Sequence, residues 1–294
     1  YKHFDGVRAV DGLTFEVAQG EIFGLLGPNG AGKTTAIRVL MDIFKPDSGE
    51  VAVLGQPPGE ARGRVGYLPE ERGLYRNLGV SEVLVYLAEL KGVPRPKAAS
   101  NAEAWLRRVG LGDWGNRKVK DLSRGMGQKL QFVASVVHDP ELVILDEPFQ
   151  ALDPLNVELV KTLIWELRER GATVLLSTHQ MNLVEALCDR ILLINRGKPA
   201  LYGRLDEIKR RFAPNTVRLR LAAPRKDPPL TKLPGVTGVE ATDNTYTLTL
   251  APDVAPRSVL RTLIEREVEM EAFDVAPAPL DQIFIAVVGE DGDE

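Results

Sequence analysis

Cysteine is almost absent from this sequence: Cys188 is the single cysteine among 294 residues. A lone thiol forms no disulfide within its own chain, which suits a reducing compartment and excludes a small disulfide-stapled scaffold. Its apolar neighbours, Leu187 and Ile191 among them, indicate a buried side chain rather than a nucleophile. The chemistry of this chain must therefore come from other residue types.

Long hydrophobic runs and dense basic tracts are missing as well. No uncharged run reaches the roughly 18 residues that a transmembrane helix requires, and no secretory leader is visible, so we expect no membrane-spanning segment. The formal net charge is −4, and the basic residues 209–211 close a predicted helix. We therefore expect no nucleic-acid partner. With 44% hydrophobic and 27% charged residues, the chain has the composition of a globular protein and the length for two domains.

A glycine-rich turn stands between an apolar segment and an amphipathic segment near the beginning of the chain. Residues 27–35 (GPNGAGKTT) fit the pattern G-x-x-x-x-G-K-S/T. Residues 21–26 read as a buried strand and residues 35–41 as a helix, so backbone N–H groups and a helix N-terminus would face a phosphate. The alternative, an ordinary glycine-rich turn, is disfavoured by the complete pattern in this context. We predict that the chain binds a nucleoside triphosphate.

Two side chains of this turn have specific predicted roles. Lys33 would reach the terminal phosphates, and the Thr34 hydroxyl would bind Mg²⁺. The full set of predicted phosphate-binding residues is Gly27, Pro28, Asn29, Gly30, Ala31, Gly32, Lys33, Thr34 and Thr35.

A second signal is an apolar strand that ends in two carboxylates, residues 142–147 (LVILDE). Asp146, at the end of a buried strand beside the phosphate loop, would help to hold Mg²⁺. The adjacent Glu147 would point the other way, toward the water that attacks the γ-phosphate, and would activate or orient that water. An apolar strand that ends in Asp-Glu is common by itself. In combination with the phosphate loop, it favours a functional role for the two carboxylates.

Apolar runs alternate with helical patterns over the first two thirds of the chain. Residues 142–145 and 173–177 are continuous apolar strands, and residues 154–170 between them follow a helical pattern. Strands that are apolar on both faces predict a parallel sheet covered on both sides by helices.

A helical stretch interrupts this alternation from residue 81 to about residue 122. Ser81 is the expected N-cap of its first helix, and a second helix is expected over 98–109 after a proline-broken link. A further helix over residues 123–137 is expected to begin with Ser123 as its N-cap.

The C-terminal part has another pattern. Residues 216–221 and 244–250 alternate polar and apolar side chains, which predicts half-buried antiparallel strands. We therefore predict an α/β P-loop NTPase core, residues 1–212, with an inserted helical subdomain at about 75–135. A small C-terminal α+β domain follows, residues 213–294, in which the acidic residues 290–294 form a frayed tail.

Residues 122–126 (LSRGM), at the start of a predicted helix, form a third element that can bind an anion. At this point the sequence resembles the nucleotide-binding subunits of ATP-binding cassette (ABC) transporters, whose signature segment reads L-S-G-G-Q. The segment keeps Ser123 and Gly125 and differs at Arg124 and Met126. This variation resembles the branch of drug, sodium and antibiotic exporters.

The resemblance implies roles for several further residues. Phe4 stands where the family places an aromatic side chain that stacks on adenine, and Asp153 lies in the loop that passes between two subunits. His179 matches the switch histidine that contacts the γ-phosphate. Glu70 stands where the family usually has a glutamine that senses Mg²⁺ and the membrane partner, and it departs from the family there.

The resemblance also implies a partner and an activity. Each ATP would lie between the phosphate loop of one subunit and the signature segment, with Ser123 and Gly125, of a second subunit in a head-to-tail dimer, expected to be a homodimer. Glu147 would orient the attacking water, while Lys33, His179 and Mg²⁺ would stabilise charge on the transferring phosphoryl group. Hydrolysis would power export through a separately encoded membrane permease, which would hold the protein at the inner face of the cell membrane.

Two other functions stay open from the sequence. One is a soluble ABC ATPase that acts in translation or DNA repair, although this chain has one P-loop and no sustained heptads. The other is a P-loop kinase or a small GTPase-like switch, which would leave residues 122–126 and His179 unexplained.

Overall fold

The computed structural model describes residues 1–71, 73–212, 216–222, 229–242, 244–275 and 278–289. The chain divides into two compact units, Tyr1–Leu205 and Asp206–Glu294. The predicted limit between residues 212 and 213 stays a prediction. Residues 213–215 beside that limit, and the predicted acidic tail 290–294, lie outside the described residues.

The first unit is built on short strands, several of which are mostly apolar. In chain order they are β1 (Lys2–Phe4), β2 (Val7–Val10), β3 (Ile22–Leu26), β4 (Val65–Leu68), β5 (Leu142–Asp146), β6 (Thr173–Ser177), β7 (Arg190–Asn195) and β8 (Lys198–Arg204).

Six of these strands form one sheet in the order β4-β5-β6-β3-β7-β8. The first five are parallel to one another, and β8 returns antiparallel beside β7. Every residue of β3 and β6 is buried, because the sheet is covered on both faces. The predicted covered parallel sheet is confirmed. β1 and β2 pair antiparallel in a separate two-stranded sheet.

The helices of this unit stand between the strands along the chain. They are α1 (Lys33–Leu40), α2 (Val80–Leu90), α3 (Arg95–Arg108), α4 (Arg124–Val136), α5 (Pro154–Glu169) and α6 (Met181–Leu187). Short 3-10 helices lie at Arg62–Arg64, Gly112–Trp114 and Val119–Asp121.

The inserted helices α2, α3 and α4 lie between β4 and β5 in the chain, and their starts test the predicted caps. Ser123 caps α4, since its Oγ accepts a hydrogen bond from Met126 N at 3.3 Å. The prediction for Ser81 is wrong, because α2 already begins at Val80 and Gly79 is its N-cap. Gly79 N donates to Glu82 Oε2 at 3.0 Å, so a carboxylate one turn further on satisfies the first amide.

The second unit is a small antiparallel sheet with helices. In chain order its elements are α7 (Leu205–Arg211), β9 (Thr216–Leu221), a 3-10 helix (Pro229–Lys232), β10 (Val236–Thr242), β11 (Thr245–Leu250), α8 (Pro256–Glu265), β12 (Met270–Val275) and α9 (Leu280–Gly289).

Its strands run in the order β10-β11-β9-β12, with every neighbouring pair antiparallel. Alternate residues of β9 and β11 are buried in a core of this unit, around Leu219, Leu248 and Leu263. The predicted antiparallel α+β fold of the C-terminal part is confirmed. Within the described residues of both units, no helix has the length and apolar character that crossing a bilayer requires.

Candidate active site

The phosphate loop joins β3 to α1 through a backbone that only glycine adopts easily. Gly27 has φ 150°, Gly30 has φ 78° and Gly32 has φ 111°. A Cβ added at Gly27 would lie 2.3 Å from Ile194 O, and one added at Gly32 would lie 2.2 Å from Ala9 O. The loop therefore packs backbone against backbone with its neighbours, and α1 begins directly after it at Lys33.

A cavity of about 560 Å³ opens beside this loop. Its lining combines backbone of the loop, three carboxylates and two arginines. The lining residues are Val7, Arg8, Ala9, Asn29, Gly30, Ala31, Gly32, Lys33, Thr34, Thr35, Glu70, Asp146, Glu147, Arg196 and Gly197.

Lys33 is the buried cation of the cavity. Its Nζ donates to Gly27 O at 2.7 Å and to Pro28 O at 3.1 Å, so the first two residues of the motif contribute their carbonyl groups. Burial lowers the pKa of Lys33, and the carboxylates of Glu147 and Asp146 act against that shift. An ammonium in such surroundings can stabilise negative charge strongly, because little water screens it.

Asp146, the last residue of β5, lies next to the first turn of α1. Thr34 Oγ1 donates to Asp146 Oδ2 at 3.3 Å, which joins the two predicted metal-binding side chains. Burial raises the pKa of Asp146, and the nearby Glu70 adds to the rise. Glu70 lines the same cavity.

These oxygen atoms fit a hard divalent cation. Mg²⁺ is usually bound through one or two carboxylates together with the phosphate oxygens of a substrate, and it keeps several waters. The described residues contain no group of three or more His, Cys, Asp or Glu side chains that could hold a metal ion by themselves. The hydroxyl of Thr34 and the carboxylates of Asp146 and Glu70 are suited to Mg²⁺ that is bound together with a nucleotide.

Glu147 follows β5 in a strained backbone conformation, with φ 49°, and is 5% exposed. Its carboxylate accepts three hydrogen bonds: from Thr178 Oγ1 at 3.1 Å, from His179 N at 3.1 Å and from His179 Nδ1 at 2.7 Å. An ionised carboxylate only accepts, so opposite an ionised Glu147 the proton lies on Nδ1 of His179. The end of β6 thus holds the direction of the Glu147 side chain.

Other predicted site residues lie elsewhere. Phe4 does not line the cavity: its ring is 39% exposed and meets the Phe44 ring edge-on, with 5.2 Å between centroids. Ser123 and Gly125 stand at the start of α4 and also do not line it. Asp153 caps α5 by accepting from Asn156 N at 2.9 Å, and these bonds lower the pKa of its carboxyl group.

Sequence reasoning missed several residues of the cavity. Arg8 lies on β2, and Arg196 in the turn between β7 and β8, where it has φ 47°. Gly197 N donates to Ala31 O at 2.9 Å, which fixes that turn against the phosphate loop. No local motif marks these positions, since only sheet pairing between distant segments brings them to the cavity.

Comparison with known proteins identifies related families for both units. The family model described as "ABC transporter" matches residues 10–150. A second model, described as "ATP-binding protein DrrA1-3-like, C-terminal domain", matches residues 203–288.

Individual relatives extend these matches over most of the chain. An uncharacterised ABC transporter ATP-binding protein of Methanocaldococcus jannaschii is 46% identical over 212 residues, covering 72% of this chain and 78% of that protein. The daunorubicin/doxorubicin resistance ATP-binding protein DrrA of Streptomyces peucetius is 34% identical over 304 residues, covering 100% and 92%. Among solved structures, an ATP-binding subunit of an ABC transporter matches with a TM-score of 0.66 and 32% identity, covering 69% of this chain and 87% of that one.

Proposed function

The chain belongs to the ATP-binding proteins of the ABC transporter family, and we propose that two copies close head to tail around ATP to drive export through a separate membrane permease. ATP binding and hydrolysis are the activities of this family, and the chain is an ATPase of it. The relatives reported above are named for ABC transporters or drug resistance, and none of them is named for translation or DNA repair.

The observation that carries the dimer proposal is the separation of the site residues. Lys33, Thr34 and Glu147 line the cavity, whereas Ser123 and Gly125 do not. The start of α4 combines a serine hydroxyl with the backbone N–H groups of a helix N-terminus, which suits an anion. A second chain would bring the start of its α4 to the nucleotide in this cavity. The α4 of the first chain would in turn reach the nucleotide in the cavity of the second chain.

The chemistry of hydrolysis would fall to a few side chains. Glu147 orients the attacking water and accepts its proton, a role that contributes about 10²- to 10⁴-fold in typical enzymes. Thr178 and His179 hold that carboxylate in place. The ammonium of Lys33 and the imidazole of His179 stabilise the negative charge that develops on the phosphoryl oxygens.

Thr34, Asp146 and Glu70 would hold a Mg²⁺ ion that arrives with ATP. When bound, this ion neutralises charge on the β- and γ-phosphates. Glu70 would give the metal site one more negative charge than the glutamine that is usual in the family.

Export would require a membrane permease, and we place the contact with it on the helical insertion and the loop after β4. Tyr75 and Tyr86 are 53% and 41% exposed, and their rings meet edge-on with 5.8 Å between centroids. Exposed aromatic side chains are frequent in protein interfaces. The protein would then act at the inner face of the cell membrane, close to the permease.

Mixing two inactive variants tests the dimer. Lys33→Ala removes the cation of the cavity, and Ser123→Asp keeps the N-cap of α4 but places a negative charge against a phosphate. A dimer that contains one copy of each variant has one site with both residues intact. A one-to-one mixture should recover about a quarter of the wild-type ATPase rate, because half of the dimers are mixed and each has one complete site.

A mixture as inactive as the separate variants would contradict the head-to-tail exchange. The export role has its own test, because the full chain should co-purify with an integral membrane protein when expressed with its neighbouring genes. Co-purification with ribosomes instead would favour the role in translation.

A further inference from the structure

Two buried amide side chains lie on the same side of α4. Gln128 and Gln131 are each 5% exposed, and residues three apart in a helix share a face. A buried amide is costly unless it forms hydrogen bonds. The partners of these two amides therefore show what the helix holds in place.

Gln128 bonds to the backbone that carries Glu147. Its Nε2 donates to Pro148 O at 3.1 Å and lies 3.5 Å from Glu147 O, the limit of a hydrogen bond. Glu147 itself has φ 49°, a conformation that residues with a side chain adopt only when their surroundings impose it. The amide of Gln128 supplies part of that constraint, at the peptide groups that set where the carboxylate points.

Gln131 forms the corresponding bond one turn later. Its Nε2 donates to Glu71 O at 3.2 Å, in the loop that also carries Glu70. One helix thus holds the backbone of two loops that contribute carboxylates to the cavity.

We propose that Gln128 is a positioning residue for Glu147, and that with Gln131 it makes α4 the link between the two nucleotides of the dimer. This inference rests on the proposed function, in which Ser123 at the start of α4 meets the nucleotide of the other subunit. Because a helix moves as a rigid element, a shift of Ser123 moves both amides. Binding at one site would therefore adjust the direction of Glu147 at the other.

The variant that isolates this role is Gln128→Met, which keeps the length of the side chain and removes both N–H donors. We expect kcat for ATP hydrolysis to fall about 10- to 100-fold, since a displacement near 1 Å of a reacting group has an effect of that size. The KM for ATP should stay within about twofold, because the phosphate-binding residues are untouched. A raised KM with an unchanged kcat would overturn the proposal.

A double-mutant cycle with Glu147→Gln distinguishes positioning from general damage. If Gln128 acts through the Glu147 carboxylate, Gln128→Met should not lower the residual single-turnover rate of Glu147→Gln any further. An equal fold-loss in both backgrounds would show that the two residues act independently and would overturn the proposal. Non-additive effects of the two substitutions are a result that general structural damage at Gln128 would not produce.

Controls separate this test from folding and from the proposed function. Gln56→Met changes an exposed glutamine away from the cavity and should leave kcat unchanged. Thermal unfolding shows whether Gln128→Met is folded. If it is not, Gln128→Asn replaces it in the same double-mutant cycle, because asparagine keeps the amide but its donor lies one methylene further from Pro148 O. Failure of the proposed function would appear as a lack of ATPase in the wild type, whereas failure of this inference would leave that activity intact.

Discussion

At the residue scale, burial sets the properties of the titratable side chains. Burial raises the pKa of Asp146 and lowers that of Lys33. The same effect acts away from the cavity on His138, whose pKa falls to about 4, mainly through burial and secondarily through the nearby Lys91. Burial therefore disfavours the charged form of all three side chains.

We expect Asp146→Asn to weaken the binding of Mg²⁺ at the active site. Loss of the carboxylate should raise the Mg²⁺ concentration for half-maximal ATPase rate by at least about tenfold, since even indirect partners of a metal have effects of this size. A titration of the ATPase rate with Mg²⁺ measures it, and excess chelator should abolish hydrolysis in the wild type. Glu71→Gln serves as the control, because Glu71 is an exposed carboxylate next to Glu70 in the chain. An unchanged Mg²⁺ requirement in Asp146→Asn would refute the metal assignment.

His138 should make the fold labile to acid. In the folded state its Nε2 lies 3.3 Å from Val65 O, and its buried Nδ1 has no hydrogen-bond partner among the described residues. The unfolded chain binds a proton near pH 6.5, whereas the folded chain does so only near pH 4, so stability is lost as pH falls through this window. Between pH 8 and pH 5 the loss should be about 2 kcal/mol.

Urea denaturation at pH 8 and pH 5 measures this loss. His138→Leu should remove most of the difference between the two values, while the exposed His3, changed to Gln, should keep it. An undiminished pH dependence in His138→Leu would show that other groups cause the acid lability.

At the scale of elements, local patterns predict the strands and the phosphate loop well and helix starts less well. β6 has the limits predicted from its continuous apolar run, and β9 has those predicted from the alternation of polar and apolar side chains. α3 was expected to begin at residue 98 but begins at Arg95, because Pro96 is tolerated in a first turn. The Ser81 error has a similar origin, since the bridge between Gly79 and Lys118 fixes the start of α2 through a contact that no local pattern contains.

The same distinction holds for the site. Lys33, Thr34, Asp146, Glu147 and His179 can be found from motifs, because each motif is a strand end or a helix start with a definite chemical requirement. Arg196 and Gln128 cannot be found in this way, since they reach the site through pairings between distant segments. The roles of all these residues stay predictions.

The close approach of β4 and α4 should make Gly66 sensitive to substitution. A Cβ at Gly66 would lie 1.9 Å from Ser135 O, so Gly66→Ala must push the helix from the sheet. We expect a loss of about 1–3 kcal/mol in the free energy of unfolding, as for other overpacked sites. Gly63→Ala is a matched control, because a Cβ there meets nothing within 4 Å. Equal stability of the two variants in urea denaturation would contradict this packing.

At the scale of the whole molecule, each unit has a core of its own, and only Tyr1–Leu205 contains the nucleotide cavity. We expect two calorimetric transitions, one for each unit. Saturating ATP with Mg²⁺ should raise the midpoint temperature of only one of them, the transition of the larger unit, Tyr1–Leu205. At a hundred times the dissociation constant, ATP should stabilise that unit by about 2.7 kcal/mol, which raises its Tm by roughly 5 °C or more.

Calorimetry of Lys33→Ala gives the control, since this variant should show both transitions without the shift. A shift of both transitions by the same amount, or of the smaller one alone, would contradict the assignment of the nucleotide site to the first unit.

The central claim is that the cavity is half of an ATP site which a second chain completes. Light scattering on Glu147→Gln tests it most directly, because this variant should bind ATP but hydrolyse it about 10²- to 10⁴-fold more slowly. With ATP and Mg²⁺ the variant should accumulate at twice the mass of the chain, and without nucleotide it should return to the mass of one chain. A variant that binds ATP and stays at the mass of one chain, or that hydrolyses ATP at the wild-type rate, would contradict the account.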